Sequence, residues 1–192
     1  DRSNDAKGER SFSYWRDGSA ATQMFMHNAV QSELPKSKII YLSGITLAIL
    51  HPNSRKLLID KLRLLSETGQ SLIAFDSNYR PKLWEKPNAA RTCLSKMWDI
   101  TDIALPSLDD EILLFNDSNI DAVIKRFKEK KCRACVIKCG AHGPVSPFIE
   151  PQNHPKFKSV EYVVDTTAAG DSFNGAFFAA YLQGQSEIEC MS

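Results

Sequence analysis

The sequence predicts an α/β domain with a mostly parallel sheet flanked by helices. Three observations carry that expectation. Short apolar runs ending at polar turns alternate with segments whose apolar residues recur at helical spacing. The connections between them are short. The chain has 192 residues, 43% of them hydrophobic and 24% charged, which is enough for one core and too apolar for disorder.

The elements follow in order. Residues 11–15 alternate as a strand does, and residues 39–42 form a short apolar run ending at Ser43-Gly44, as a buried parallel strand would. From 53 to 68, Leu58, Leu62 and Leu65 keep helical spacing, with Asn53 or Ser54 as the expected cap and Gly69 at the end. A second buried strand spans 71–75, a helix 88–98, and a third strand 102–105. Two helices are expected over 109–115 and around Ile120, Val123, Ile124 and Phe127. Residues 135–137 read as a strand leading to Gly140, and 162–164 as an extended run entering the turn at 165–170. Phe173, Phe177, Ala180 and Tyr181 then mark a helix.

Composition excludes several functions. Lys plus Arg number 24 against 23 Asp plus Glu, a net charge of +1 without a basic stripe, so nucleic acid is not an expected partner. No stretch suits a membrane span: residues 39–50 are interrupted by Ser43 and Gly44 and stopped at His51-Pro52. Residues 1–5 resemble neither a signal nor a transit region. Five cysteines, an odd count, argue against a disulfide framework and for a reducing, cytoplasmic setting. Cys132, Cys135 and Cys139 lack the second pair that a zinc site needs, and Cys135 falls in a buried strand. His27 and His51 are expected at the surface or at caps.

In a parallel sheet the ligand sits beyond the carboxyl ends of the strands, so the turns there are the places to search. The turn from Asp165 to Asp171 is the most informative. Small residues at Ala168, Ala169 and Gly170 leave backbone N–H groups uncovered at a helix start, a ready anion site. Asp171 would stand in the first helical turn beside that anion, where a carboxylate can take the proton of a hydroxyl attacking phosphorus. A plain partner of the helix dipole is the alternative. Lys138, Gly140 and Gly143 follow a strand and permit close backbone approach, though Gly also serves simply to turn a chain. Neither a dinucleotide fingerprint nor a Walker A loop is present, so phosphate binding rests on the 168–170 turn.

Asp165-Thr166-Thr167-Ala168-Ala169-Gly170-Asp171, followed by Ser172-Phe173, resembles the signature of the ribokinase-like (PfkB) carbohydrate kinases. Residues 9–16, 41–46 and 75–84 resemble the branch of that family acting on 2-keto-3-deoxygluconate. The family usually has Gly where this chain has Ala168, and the anion hole is expected to survive if φ there stays negative. The resemblance implies a ribokinase-like three-layer domain with the remnant of a small β lid: residues 1–37 as lid strand and connection, 38–192 as kinase core. It also implies further family segments on both sides of this chain. Partners for the lid strand would then come from preceding residues or another subunit, and a homo-oligomer through the lid is expected.

By the same resemblance, Asp171 is the general base and the N–H groups of Ala168, Ala169 and Gly170 hold the transferred phosphoryl group. Tyr14, Arg16, Ile45 and Arg80 would surround the acceptor, the two guanidinium forks suiting a substrate carboxylate that a neutral sugar lacks. A salt bridge for Arg80 and an exposed edge charge for Arg16 are the plain alternatives, and Trp84 is read as core. Lys138, Gly140 and Gly143 would line the nucleotide side. Ser107 and Asp110 fall where the family has Asn-x-x-Glu near magnesium and phosphate, although acids at a helix start are also ordinary dipole partners. Asp76 and Asn78 are placed to approach Mg2+ through waters, and Asp165 would order the turn and neighbour a monovalent cation. The implied substrates are ATP and a small sugar acid, 2-keto-3-deoxygluconate, phosphorylated on its 6-hydroxyl. A neutral-sugar kinase and a non-catalytic nucleotide-binding module of the same fold are the competing readings.

Overall fold

The structure is a computed structural model that describes residues 2–4, 10–12, 18–26, 32–157 and 161–192. Tyr14 and Arg16 lie outside the described residues, as does His27. Strand β1 (Arg2–Asn4) pairs antiparallel with β2 (Arg10–Phe12), Ser3 opposite Ser11. The chain thus supplies a partner strand that the sequence reading sought before residue 1 or in another subunit. A single turn, α1 (Ala20–Gln23), follows.

Four strands form the parallel sheet: β3 (Ile39–Ser43), β4 (Leu72–Asp76), β5 (Ile103–Ala104) and β6 (Ala134–Cys135), ordered β3-β4-β5-β6. Tyr41 pairs with Ala74, Ala74 with Ile103, and Ile103 with Ala134. Because the order never reverses, right-handed crossovers place the connecting helices on one face. These are α2 (Gly44–Ile49), α3 (Pro52–Glu67), α4 (Pro87–Trp98), α5 (Leu108–Phe115) and α6 (Ile120–Lys128). A β7 (Ile137–Lys138) and β8 (Pro144–Val145) pair continues beyond β6. Helices α7 (Ala169–Leu182) and α8 (Glu187–Cys190) cover the opposite face, completing three layers.

Strand alternation divides the core accordingly. Ile40, Leu42, Ile73 and Phe75 face α3–α6, where Trp98 stacks edge-on between Phe75 at 4.7 Å and Phe127 at 5.0 Å. Ala74, Ile103 and Val136 point the other way, onto Phe177 of α7. Trp84 is buried in the first cluster under the Arg55 guanidinium, as core.

Three local expectations are corrected. Helix α3 begins earlier than read: Pro52 is its first residue and His51 Nδ1 accepts from Asn53 N–H at 3.3 Å, so His51, rather than Asn53 or Ser54, is the cap. Helix α2 lies in a segment read only as an apolar run, because its six residues are too few to set a period. Residues 162–164 form no strand; Tyr162, Val163 and Val164 are exposed and unpaired with the sheet. Among the described residues no helix is long and apolar enough to cross a membrane. All five cysteines are free thiols.

Candidate active site

The carboxyl ends of the strands gather most of the residues singled out above. Gly44 begins α2 against the loop after β4, so close that a Cβ there would lie 1.9 Å from Ser77 O. Only glycine permits that contact, which holds residues 76–80 against the end of β3 and leaves Ile45 partly buried beside it. Asn78 adopts a left-handed φ of 31°, and its N–H donates to Asp76 Oδ1 at 3.1 Å.

Asp76, 2% exposed, is the centre of a polar cluster. Lys138 Nζ lies 2.5 Å from Asp76 Oδ2, and Asn174 Nδ2 donates to the same oxygen at 2.7 Å. Asn174 Nδ2 also donates to Tyr41 Oη at 3.0 Å, while Asn174 Oδ1 accepts from Lys138 Nζ at 3.2 Å. Burial, reinforced by the Asp76 charge, pushes the Tyr41 hydroxyl up to about 12, so it stays protonated. Lys138 is bracketed at its own backbone too: its N–H donates to Pro106 O at 2.8 Å, and it bridges Ser107.

The turn before α7 presents the anion site. Asp165 Oδ1 accepts from Thr167 N–H at 2.9 Å, an Asx turn that orders the approach. Ala168 is the residue before the helix and has φ +60°, not the negative value on which the sequence reading made the anion hole depend. Ala169 N–H is turned to Thr166 O at 3.2 Å, whereas the N–H groups of Ala168, Gly170 and Asp171 have no protein acceptor among the described residues. Of the three expected donors, two are therefore open, and Asp171 adds a third. A Cβ on Gly170 would stand 3.6 Å from Lys138 Nζ, so the ammonium lies beside the start of the helix. The Asp171 side chain is exposed one residue on. A cavity of about 160 Å³ opens here between Gly140, Gly143 and Gly170. Gly140 and Gly143 have φ of +55° and +78°, and a Cβ on Gly143 would strike the Phe157 ring at 2.3 Å. A larger groove of about 520 Å³ between α3 and α4 shares none of these residues.

Arg80 and Asp110 form the remaining edge. Asp110 Oδ2 accepts from Tyr79 N–H at 3.0 Å, and Asp110 Oδ1 lies 3.8 Å from Arg80 Nη1, which donates to Tyr79 O at 2.9 Å. Burial pushes the Asp110 carboxyl up to about 6.

Magnesium requires six oxygens in octahedral array. Asp76 Oδ2 is taken by Lys138 and Asn174, Asp76 Oδ1 accepts from Asn78 N–H, and Asn78 Oδ1 is buried without a partner, so the pair offers few oxygens towards six. Among the described residues no group of three or more His, Cys, Asp or Glu could hold a metal ion. This donor set fits Mg2+ carried by nucleotide phosphates and reached through water, and does not fit a protein cage.

Sequence reasoning missed Asn174, Tyr41, Ser77 and Glu111. Asn174 had a legible signal, as a polar side chain on the Asp171 side of a helix otherwise rich in Ala and Phe. Tyr41 had none, since its hydroxyl sits within an apolar run.

The architecture agrees with what comparison finds. Residues 2–192 match the profile of the pfkB family carbohydrate kinases, and the chain belongs to that family. It is 40% identical over 192 residues to a 2-dehydro-3-deoxygluconokinase of Haemophilus influenzae, covering 97% of this chain and 61% of that protein. The crystal structure of a PfkB protein from Polaromonas sp. JS666 superposes with TM-score 0.76 at 21% identity, over 99% of this chain and 61% of that one. An E. coli protein solved with ATP and Mg2+ gives TM-score 0.77 at 23% identity, over 96% of this chain and 58% of that one. The chain thus spans about three-fifths of the length of the proteins it matches.

Proposed function

We propose that the protein carrying this chain phosphorylates 2-keto-3-deoxygluconate on its 6-hydroxyl with ATP. The observation that carries the reading is the convergence at the start of α7. Open N–H groups of Ala168, Gly170 and Asp171, the Lys138 ammonium and the Asp171 carboxylate share one end of the sheet. Donors so placed favour charge developing on a transferred phosphoryl group. Asp171 takes the proton of the attacking hydroxyl, the new O–P bond forms in line as the γ-phosphorus parts from the β-phosphate oxygen, and ADP leaves. Mg2+ bound to the nucleotide supplies charge neutralisation. The likeness to a 2-dehydro-3-deoxygluconokinase supports the substrate class.

Lys138, Gly140 and Gly143 form the nucleotide side, with Ser107 and Asp110 bordering it. Arg80, Ile45, Tyr14 and Arg16 form the acceptor side, and Asp165 orders the turn beside a monovalent cation. Residues 1–37 act as a lid that associates with a second copy, over a core at 38–192, in the cytoplasm. In the full-length protein Asp171→Asn should lower kcat about 10²- to 10⁴-fold with ADP affinity within about twofold, read by steady-state kinetics and calorimetry. A fall of less than about tenfold removes the general base from the account.

A further inference from the structure

Asn174 is 1% exposed in a helix rich in Ala, Gly and Phe, and the phosphoryl-transfer reading gives it no task. It stands three residues after Asp171, on the same flank of α7. Its carboxamide reaches three strands at once: Tyr41 of β3, Asp76 of β4 and Lys138 of β7. We infer that Asn174 is the positioning residue of the transfer site, its amide fixing the Lys138 ammonium beside the open N–H of Gly170. This inference rests on the kinase reading.

The chemistry of the amide explains the choice. A lysine stem is flexible, and its head goes wherever its partners hold it. Asp76 alone would draw Lys138 towards the sheet. Asn174 adds an acceptor on the catalytic helix, at 3.2 Å, on the side where Gly170 lies. A neutral amide both donates and accepts, so it bonds the Asp76 carboxylate and the Lys138 ammonium together without adding charge. An aspartate would set a second carboxylate against Asp76 and beside the incoming phosphate. An apolar residue would leave buried Asp76 short of a donor. Because the acceptor rides on α7, the ammonium stays in register with the N–H groups and the carboxylate of that helix.

The test uses the full-length protein with Asn174→Ala and Asn174→Asp. ADP affinity is measured by calorimetry, kcat and both KM values by coupled kinetics, and folding by melting temperature. Asn174→Ala should weaken ADP about tenfold and lower kcat at least as much, with acceptor KM within about threefold; Asn174→Asp should weaken ADP further. A purely structural Asn174 would lower the melting temperature and leave ADP affinity and kcat per folded molecule unchanged, which overturns the inference. If the alanine variant does not fold, wild-type ADP affinity in the equally sized aspartate variant overturns it as well. Weakened ADP binding alongside a wild type that phosphorylates no acceptor sinks the kinase reading and leaves Asn174 in place. A wild type that binds no ADP overturns both.

Discussion

Ser77 Oγ donates a 2.6 Å hydrogen bond to Glu111 Oε1 through the interior, tying the loop after β4 to the first turn of α5. The other Glu111 oxygen meets Arg126 Nη2 at 2.9 Å, and Arg126 also holds Asp117 at 2.6 Å. Ser77 is thereby clamped from both sides, since its backbone oxygen is the one against which Gly44 packs. The clamp sets the position of Asp76 and Asn78, the residues on either side. Glu111 is wholly buried, and burial outweighs the guanidinium, pushing its carboxyl up to about 7.

This clamp makes stability depend on pH. Glu111 and, at about 6, Asp110 keep protons in the folded chain at pH values where the unfolded chain has lost them. Between about pH 4.5 and about pH 7 the native state binds more protons, so these groups make stability fall as pH rises. Glu85, held low by Arg55 despite an opposing burial cost, acts only below that window. Melting temperature should decline from about pH 5 to about pH 7.5, and Glu111→Gln should flatten the upper part of the slope. At about pH 7.5 that variant should cost about 1 kcal/mol or less, because Gln still accepts from Ser77 and Arg126 retains Asp117. A slope unchanged by the substitution would contradict the assignment.

Ala168 bears a backbone conformation that disfavours any side chain, with φ +60°. Its methyl group costs about 1–2 kcal/mol there, partly offset by the greater freedom glycine regains on unfolding. Ala168→Gly should therefore stabilise the protein by about 0.5–1 kcal/mol in urea denaturation. A loss of about 1 kcal/mol would contradict the left-handed turn and the placing of the open N–H groups that depends on it.

Arg80 is 42% exposed along its side chain, with Asp110 at 3.8 Å and Tyr79 O at 2.9 Å. The fork thus keeps donors free for a second, external carboxylate. Arg80→Lys should raise KM for the keto-acid about tenfold while changing kcat less than about threefold, since an ammonium cannot bond both carboxylate oxygens in one plane. Unchanged KM would assign Arg80 to holding Asp110 and nothing more.

Much of this was legible in the sequence. Buried parallel strands such as β4 are written as short apolar runs ending at a polar turn, and α3 and α4 carry their spacing openly. The turn at 165–171 disclosed itself through small residues and a carboxylate at a helix start. The left-handed Ala168 did not, because alanine gives no sign of positive φ. The internal pairing of the cluster was hidden as well. Lys138 and Asp76 lie 62 residues apart, and only the fold brings together an ammonium, a carboxylate and the amide of Asn174. Glu111 was concealed among three consecutive acids, any of which serves a helix dipole, and only burial separates it from Asp109.

Transfer of phosphate from ATP to a keto-acid is read by ADP release from the full-length protein. The assay offers 2-keto-3-deoxygluconate beside gluconate, fructose and ribose. Turnover is expected with 2-keto-3-deoxygluconate and little with the three others. Turnover with fructose or ribose would contradict the carboxylate clamp at Arg80, and bound ATP without turnover on any acceptor would contradict the kinase reading itself.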